Sequence, residues 1–503
     1  MAEARGVETN IQPCHHFSSS ADLTKLQKFA EKPRIVVLTD VLNEPDDSMS
    51  LVRYLLYSNE FDTRGIVATT SKHLRNVTHP DEIRKIVNAY GSVIGNLNNH
   101  VHPLQPYQSA EELLSLISTG PPIYGKQSFN LSLSDGSKLI IDRLAESEKP
   151  LWVLAWGGTN TLAQALLHIY ENRTAEDAAT LRSRLRVYSI SDQDDTGDWI
   201  RREFPDVFVV TSLHAMGAYS ISTWAGILSD VSLAMNYSIV QQPWLTANIQ
   251  LGPLGAVYPN IIYGMEGDSP SFLYLIQNGL GNSERPDWGS WGGRYGRVAI
   301  ETPLYSSTFD VVVGHDGKTY HNNQATVWRW RETFQDDFAS RMQWTLTSNF
   351  SQAGHPPVLN VNGKTGPEIM FIETKYNQTF EFDASATYDP DHPESNEHLD
   401  FQWYQYADPS LDLPEGFVVP LEITSLAPPA GSNATLVNNN EGFKAVSVGQ
   451  KISVVVPEFP ELTEEEEIKV TERFADLHLI LQVRSKEAKY PSTRYQRIVF
   501  QLS

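Results

Sequence analysis

Three aspartates, Asp40, Asp46 and Asp47, fall within one short stretch of the segment Arg34 to Ser58. Carboxylates gathered at one point repel, and the cheapest relief is a hard divalent cation that takes oxygen ligands. A cage built mostly of protein oxygens favours Ca²⁺ over Mg²⁺, which gives up its water reluctantly. Three other polar turns have chemistry to offer: Trp156-Gly157-Gly158-Thr159-Asn160, Ser191-Asp192-Gln193-Asp194-Asp195, and Glu266-Gly267-Asp268-Ser269-Pro270. Between Trp288 and Tyr295 aromatic rings alternate with glycines, a pattern that suits a loop presenting flat faces, with Trp291 and Trp156 as candidates to stack on sugar. The plainer alternatives are that Asp46 and Asp47 cap a helix, Asp40 ends a strand, and each tryptophan packs in a core.

The elements that must position these groups are legible around them. Ile35, Val36, Val37 and Leu38 form the continuous apolar run of a strand covered on both faces, which puts Asp40 at its carboxyl end. Pro45 and the two acids stand where a helix start favours them, and Met49, Leu51, Val52, Leu55 and Leu56 follow at mostly helical spacing. Gly65 to Thr70 reads as a second strand, Pro80 to Leu97 as an amphipathic helix, Pro150 to Trp156 as a third strand, and Thr159 to Tyr170 as its helix. Arg186 to Ser191 and Val207 to Thr211 are two more strand candidates. The expected class is therefore α/β, a mostly parallel sheet with helices on both faces, whose ligand edge lies at the carboxyl ends of the strands. All four polar turns are expected to follow strands and to meet at that edge.

Beyond His355-Pro356-Pro357 the pattern changes to short alternating runs separated by Gly, Pro, Asn and Asp, which reads as an all-β sandwich. The expected division is a mobile extension over 1–32, an α/β domain over 33–354 and a sandwich over 355–503. The formal charge is −22, from 39 Lys and Arg against 61 acids, which argues against a nucleic-acid partner. The run Glu464 to Glu467 reads as a solvated face. A single cysteine, Cys14, excludes an intrachain disulfide framework and a thiolate metal site. No apolar stretch is long enough to span a bilayer, and the first residues lack a secretory pattern, so the cytosol is expected as the chain stands. Seven Asn-x-Ser/Thr sequons point the other way, toward secretion with a signal removed.

The motif TDVLNEPDD resembles the amino-terminal aspartate cluster of the nucleoside hydrolase superfamily, and its continuation through SLVRYLLYSNEFDTRGIVATTS is similar to the nucleoside-hydrolase-like branch labelled cellulose-binding. The likeness spans Arg34 to Tyr295. DASATYDPDHPESNEHLDFQWY is similar to polycystic-kidney-disease and cadherin-like sandwich modules. The resemblance implies that Asp40 binds Ca²⁺ and deprotonates the attacking water, that Asp46 grips sugar hydroxyls, and that Asp47 and Asp268 are metal ligands. It further implies a backbone carbonyl ligand at Asn160 and sugar contacts from Gln193, Asp194 and Asp195. The family's histidine beside the last aspartate is Gly267 here, which weakens the case for nucleobase departure and leaves Glu266 as the substitute acid. Three functions follow as expectations. The first is a Ca²⁺-dependent glycosidase acting on a furanose-like sugar, in a small-molecule or oligosaccharide substrate. The second is a non-catalytic carbohydrate-binding protein, and the third a nucleoside hydrolase. Relatives of nucleoside hydrolases are often oligomeric, which leaves a homodimer open.

Overall fold

In the computed structural model, residues 22–410, 420–429, 435–457, 476–486 and 488–502 are described. Glu464 to Glu467 and Cys14 lie outside them. An eight-stranded sheet has the order β3-β2-β1-β4-β5-β6-β8-β7. Its strands are β1 (Arg34–Thr39), β2 (Asp62–Ala68), β3 (Ile117–Thr119), β4 (Leu151–Ala155), β5 (Leu185–Ser189), β6 (Phe208–Thr211), β7 (Tyr295–Arg297) and β8 (Leu304–Ser307). Every pairing is parallel except that of β7 with β8. Along β1 the side chains alternate between two cores: Ile35 and Val37 join one cluster, Val36 and Leu38 the other. That two-sided burial is why the strand reads as an unbroken apolar run.

Strand order reverses at β1, with β2 and β3 on one side and β4 onward on the other. In open α/β sheets the loops diverge at such a point and leave a crevice beyond the strand ends. Asp40 follows β1 directly, and the turn 156–159 follows β4. The helix Asp46–Leu55 then begins with both acids in its first turn, where the N–H ends favour negative charge.

Beyond the sheet, the helix Arg331–Trp344 leads to a smaller all-β region, with a six-stranded sheet facing a three-stranded one. Trp403, Phe382, Ile452, Val454, Leu479 and Phe500 fill the core between them. Pairing is antiparallel throughout except where Met370–Thr374 runs parallel to Thr493–Leu502. The two regions meet over buried polar contacts. Arg329 pairs with Asp310 at 2.7 Å and with Asp408 at 3.1 Å, and Arg494 pairs with Asp337 at 2.9 Å. Gly279 is so close to the Tyr495 carbonyl that a Cβ would lie 1.8 Å from its oxygen.

Three local expectations change. The helix expected over Pro80–Leu97 stops at Gly91 and resumes only for Ile94–Leu97, because Gly91 is a weak helix former pressed against Ala110. The tail expected to be mobile is docked over the part described: Phe29 is buried, and its backbone exchanges two hydrogen bonds with the Gln105 amide. The turn carrying Asp268 does not follow a strand. It sits in the long β6-to-β7 connection, ahead of the short helix Pro270–Leu273.

Candidate functional site

β1 delivers Asp40 at its end, the helix Asp46–Leu55 delivers Asp46 and Asp47, and the turn before Pro270–Leu273 delivers Asp268. One carboxylate oxygen from each of Asp46, Asp47 and Asp268 lies within 4.8 Å of the others. Asp40, Asp47 and Asp268 are buried, while Asp46 keeps partial exposure. The acids feel one another. Burial, opposed by the Ser71 hydroxyl, holds the Asp40 carboxyl up at about 6. Burial, with the charges of Glu44 and Asp40 adding to it, raises Asp46 to about 7. Burial and the neighbouring aspartates push Asp47 and Asp268 well above the ordinary carboxylate range.

Protein donors satisfy this cluster only in part. Thr39 donates to Asp47, yet Asp40 Oδ2 and Asp268 Oδ2 are buried with no hydrogen-bond partner among the described residues. Buried anionic oxygens left unpaired are costly, and a cation is the partner that fits them. The spacing agrees: oxygens bound to one Ca²⁺ at about 2.4 Å stand no more than about 4.8 Å apart. Asp46, expected to meet sugar, is thus one of the three acids whose oxygens come together. Glu44, which the sequence reading passed over, adds charge to the same turn, and Leu42 beside it has a φ of 73°. A bulky residue in that region signals a turn held by its surroundings. Gly157 closes the site from β4: a Cβ there would sit 2.6 Å from Asp40 Oδ1.

Several expected residues are placed elsewhere. Glu266 is fully buried, and Arg53 at 2.8 Å, the Tyr258 hydroxyl at 2.7 Å and the Ser269 hydroxyl at 2.9 Å occupy its carboxylate. It locks the turn, at a φ of 49°, and has no free face for a leaving group. At Asn160, expected to offer its backbone carbonyl, the side chain is taken up by Thr69, Thr70 and the Ile123 carbonyl, and the N–H by Asp194. Asp194, expected to contact sugar, is buried and braces two turns, accepting from the backbone of Asn160 and Thr196. Asp195 is turned toward the Lys126 N–H at 2.8 Å. Gln193 stays near the site, with its amide on the Trp156 carbonyl and its own carbonyl taking the Lys72 N–H. Trp156 and Trp291 are core residues: the Trp156 indole donates to Ser271 among Tyr54 and Phe272, and that of Trp291 donates to Tyr495 across the junction. Their partners are remote in sequence, so their roles had no local signal.

The family model for the cellulose-binding Sde182 nucleoside hydrolase-like domain matches residues 34–295. That for the C-terminal domain of cellulose-binding protein Sde0182 matches 379–502. A nucleoside hydrolase-related protein from Saccharophagus degradans, associated with carbohydrate metabolism, shares 27% identity at a TM-score of 0.70. The likeness covers 94% of this chain and all of that one. The inosine-uridine preferring nucleoside hydrolase of Bacillus anthracis, at 10% identity and a TM-score of 0.32, is matched over 63% of this chain and all of its own. No curated protein matches. With its α/β half and most of its sandwich each matched in order, the chain belongs to the Sde182 family of cellulose-binding, nucleoside hydrolase-like proteins.

Proposed function

We propose that the acid cluster is a Ca²⁺ site that holds a sugar by its hydroxyls and hydrolyses the glycosidic bond beside them. The observation that carries this reading is the meeting of Asp46 with the buried Asp47 and Asp268, with one oxygen each of Asp268 and the neighbouring Asp40 unpaired among the described residues. Asp46, Asp47 and Asp268 would hold the ion, with Asp40 alongside. A bound Ca²⁺ would neutralise the acids, accept sugar hydroxyls as ligands and lower the pKa of adjacent water. Asp40, buried beside the cluster with its Oδ2 unpaired among the described residues, would take a proton from that water. Asp46, the acid with an exposed edge, accepts hydrogen bonds from vicinal hydroxyls. Water attacking once, with no covalent sugar intermediate, would invert the anomeric carbon.

A second reading, sugar binding without cleavage, is favoured by one feature: Glu266, the acid expected to protonate the leaving group, is wholly engaged by Arg53, Tyr258 and Ser269. The two readings separate in one assay. The protein in Ca²⁺ is incubated with cello-oligosaccharides, a nitrophenyl arabinofuranoside, inosine and uridine, and reducing sugar, nitrophenol or free base is measured. Hydrolysis predicts product from at least one substrate and none from Asp40→Ala. Retention of the oligosaccharide by wild type and Asp40→Ala alike, with no product from any substrate, overturns it and leaves binding.

A further inference from the structure

Gly267 stands beside the acid cluster, and what surrounds it explains why it has no side chain. A Cβ built there would lie 2.9 Å from Asp46 Oδ2 and 2.9 Å from Cζ3 of Trp224. The benzo edge of the Trp224 indole therefore occupies the place a larger residue would take, next to the acid that retains exposure. Trp224 is itself only part-buried.

The indole is held in place. Its Nε1–H donates to Ser191 Oγ at 2.9 Å, and that oxygen lies 2.7 Å from His214 Nε2. His214 Nδ1 is 2.8 Å from the Ala215 carbonyl, which requires a proton on that nitrogen. In the neutral ring Nε2 then accepts from the Ser191 hydroxyl. The backbone behind the ring is pinned as well, by Thr223 N–H on Ser212 Oγ at 2.9 Å and Thr223 Oγ1 on Ser307 at 2.8 Å. Tyr219 extends the surface, its ring 6.2 Å from that of Trp224, and its hydroxyl feels the charges of Glu44 and Asp40. Two aromatic rings thus stand against one side of a carboxylate cluster.

We infer that Trp224 determines which substrates the acid site accepts, by stacking its indole on the ring joined to the sugar that Asp46 holds. The inference rests on the proposal that the cluster binds a sugar. The negative face of an indole attracts polarised C–H groups and flat rings. The acids nearby repel anions, so the ring is neutral: a second sugar residue or an unphosphorylated nucleobase. Glycine at 267 is part of the device, because any larger residue there would displace the indole.

Cellohexaose and inosine, titrated by calorimetry with and without Ca²⁺ into wild type, Trp224→Ala, Trp224→Phe and Gly267→Ala, test this and separate the two sources of ring. Ca²⁺ affinity is measured on each protein alone. The expected result is that Trp224→Ala weakens one probe by about tenfold or more, while Trp224→Phe loses about threefold or less. Gly267→Ala should resemble Trp224→Ala, and Ca²⁺ affinity should stay within about twofold in both Trp224 variants. Unchanged ring affinity in Trp224→Ala overturns the inference, as does binding of neither probe by a wild type that binds Ca²⁺. Ring binding that needs Trp224 but not Ca²⁺ upholds the stacking role and refutes the cation reading instead.

Discussion

Replacing Asp268 by Asn should stabilise the protein without Ca²⁺ and destabilise it relative to wild type when Ca²⁺ is present. Asp268 meets Asp46 and Asp47 with oxygens within 4.8 Å, and its Oδ2 has no donor. Two unit charges at that distance, in an effective dielectric of about 20, repel by about 3.5 kcal/mol. Proton uptake relieves part of this, because burial and the neighbouring aspartates hold Asp268 itself well above the ordinary carboxylate range, so the difference should grow as pH rises. In chelator, Asp268→Asn should then gain about 1–3 kcal/mol. At a Ca²⁺ concentration of about 1,000 times Kd, wild type gains about 4.1 kcal/mol and the variant much less, so the order reverses. Denaturant unfolding of both proteins in chelator and in Ca²⁺ reads this out. A variant less stable in chelator, together with equal gains from Ca²⁺ in both, would refute a cation held by this cluster.

Arg53→Met strands the buried Glu266 carboxylate and should cost about 3–5 kcal/mol in urea unfolding, with most of it restored in Arg53→Met/Glu266→Leu; a loss below about 1 kcal/mol would contradict the pairing. Gly157→Ala puts a methyl 2.6 Å from Asp40 Oδ1 and should lower Ca²⁺ affinity about tenfold or more with global unfolding little changed, as calorimetry and melting would show. His100, hydrogen-bonded to His355 and to the Thr347 carbonyl, is lowered to about 4, chiefly by burial. Its unfolded value is about 6.5, so the unfolded chain binds the extra proton between the two. Its stabilisation is complete above pH 6.5 and is lost as pH falls toward 4, at up to about 1.4 kcal/mol per pH unit. Melting scans from pH 7.5 to 5 should show a shallower decline in His100→Gln, and parallel declines would exclude this origin.

Local pattern carried much of the architecture. The parallel strands read clearly because burial on both faces forces unbroken apolar runs such as Ile35 to Leu38. Short β3, and β7 with β8 after a long connection, had too few apolar residues to announce themselves. Asp40, Asp46 and Asp47 were legible because one strand-to-helix turn carries all three. The turn holding Asp268 was legible as polar, but its part in the metal cage came only through resemblance, since its place depends on a connection that folds back across the sheet edge. Glu266, Trp156 and Trp291 resembled site residues until their partners Arg53, Ser271 and Tyr495 came into view. Trp224 gave no sign, because its meaning lies in what it denies to position 267.

The junction between sheet and sandwich bears on how this protein can be dissected. Trp330 sits against Tyr406, Phe443 and Tyr495, and Arg497 reaches the carbonyls of Leu280 and Trp288. A clone stopped near residue 355 would uncover Trp330, Trp291 and Trp288 and leave Asp310 without its Tyr406 donor. The aromatic surface and the stranded polar groups would drive such a fragment to precipitate. The sandwich is then no detachable anchor but a scaffold wall, and its contribution is best probed by point substitutions within the intact chain.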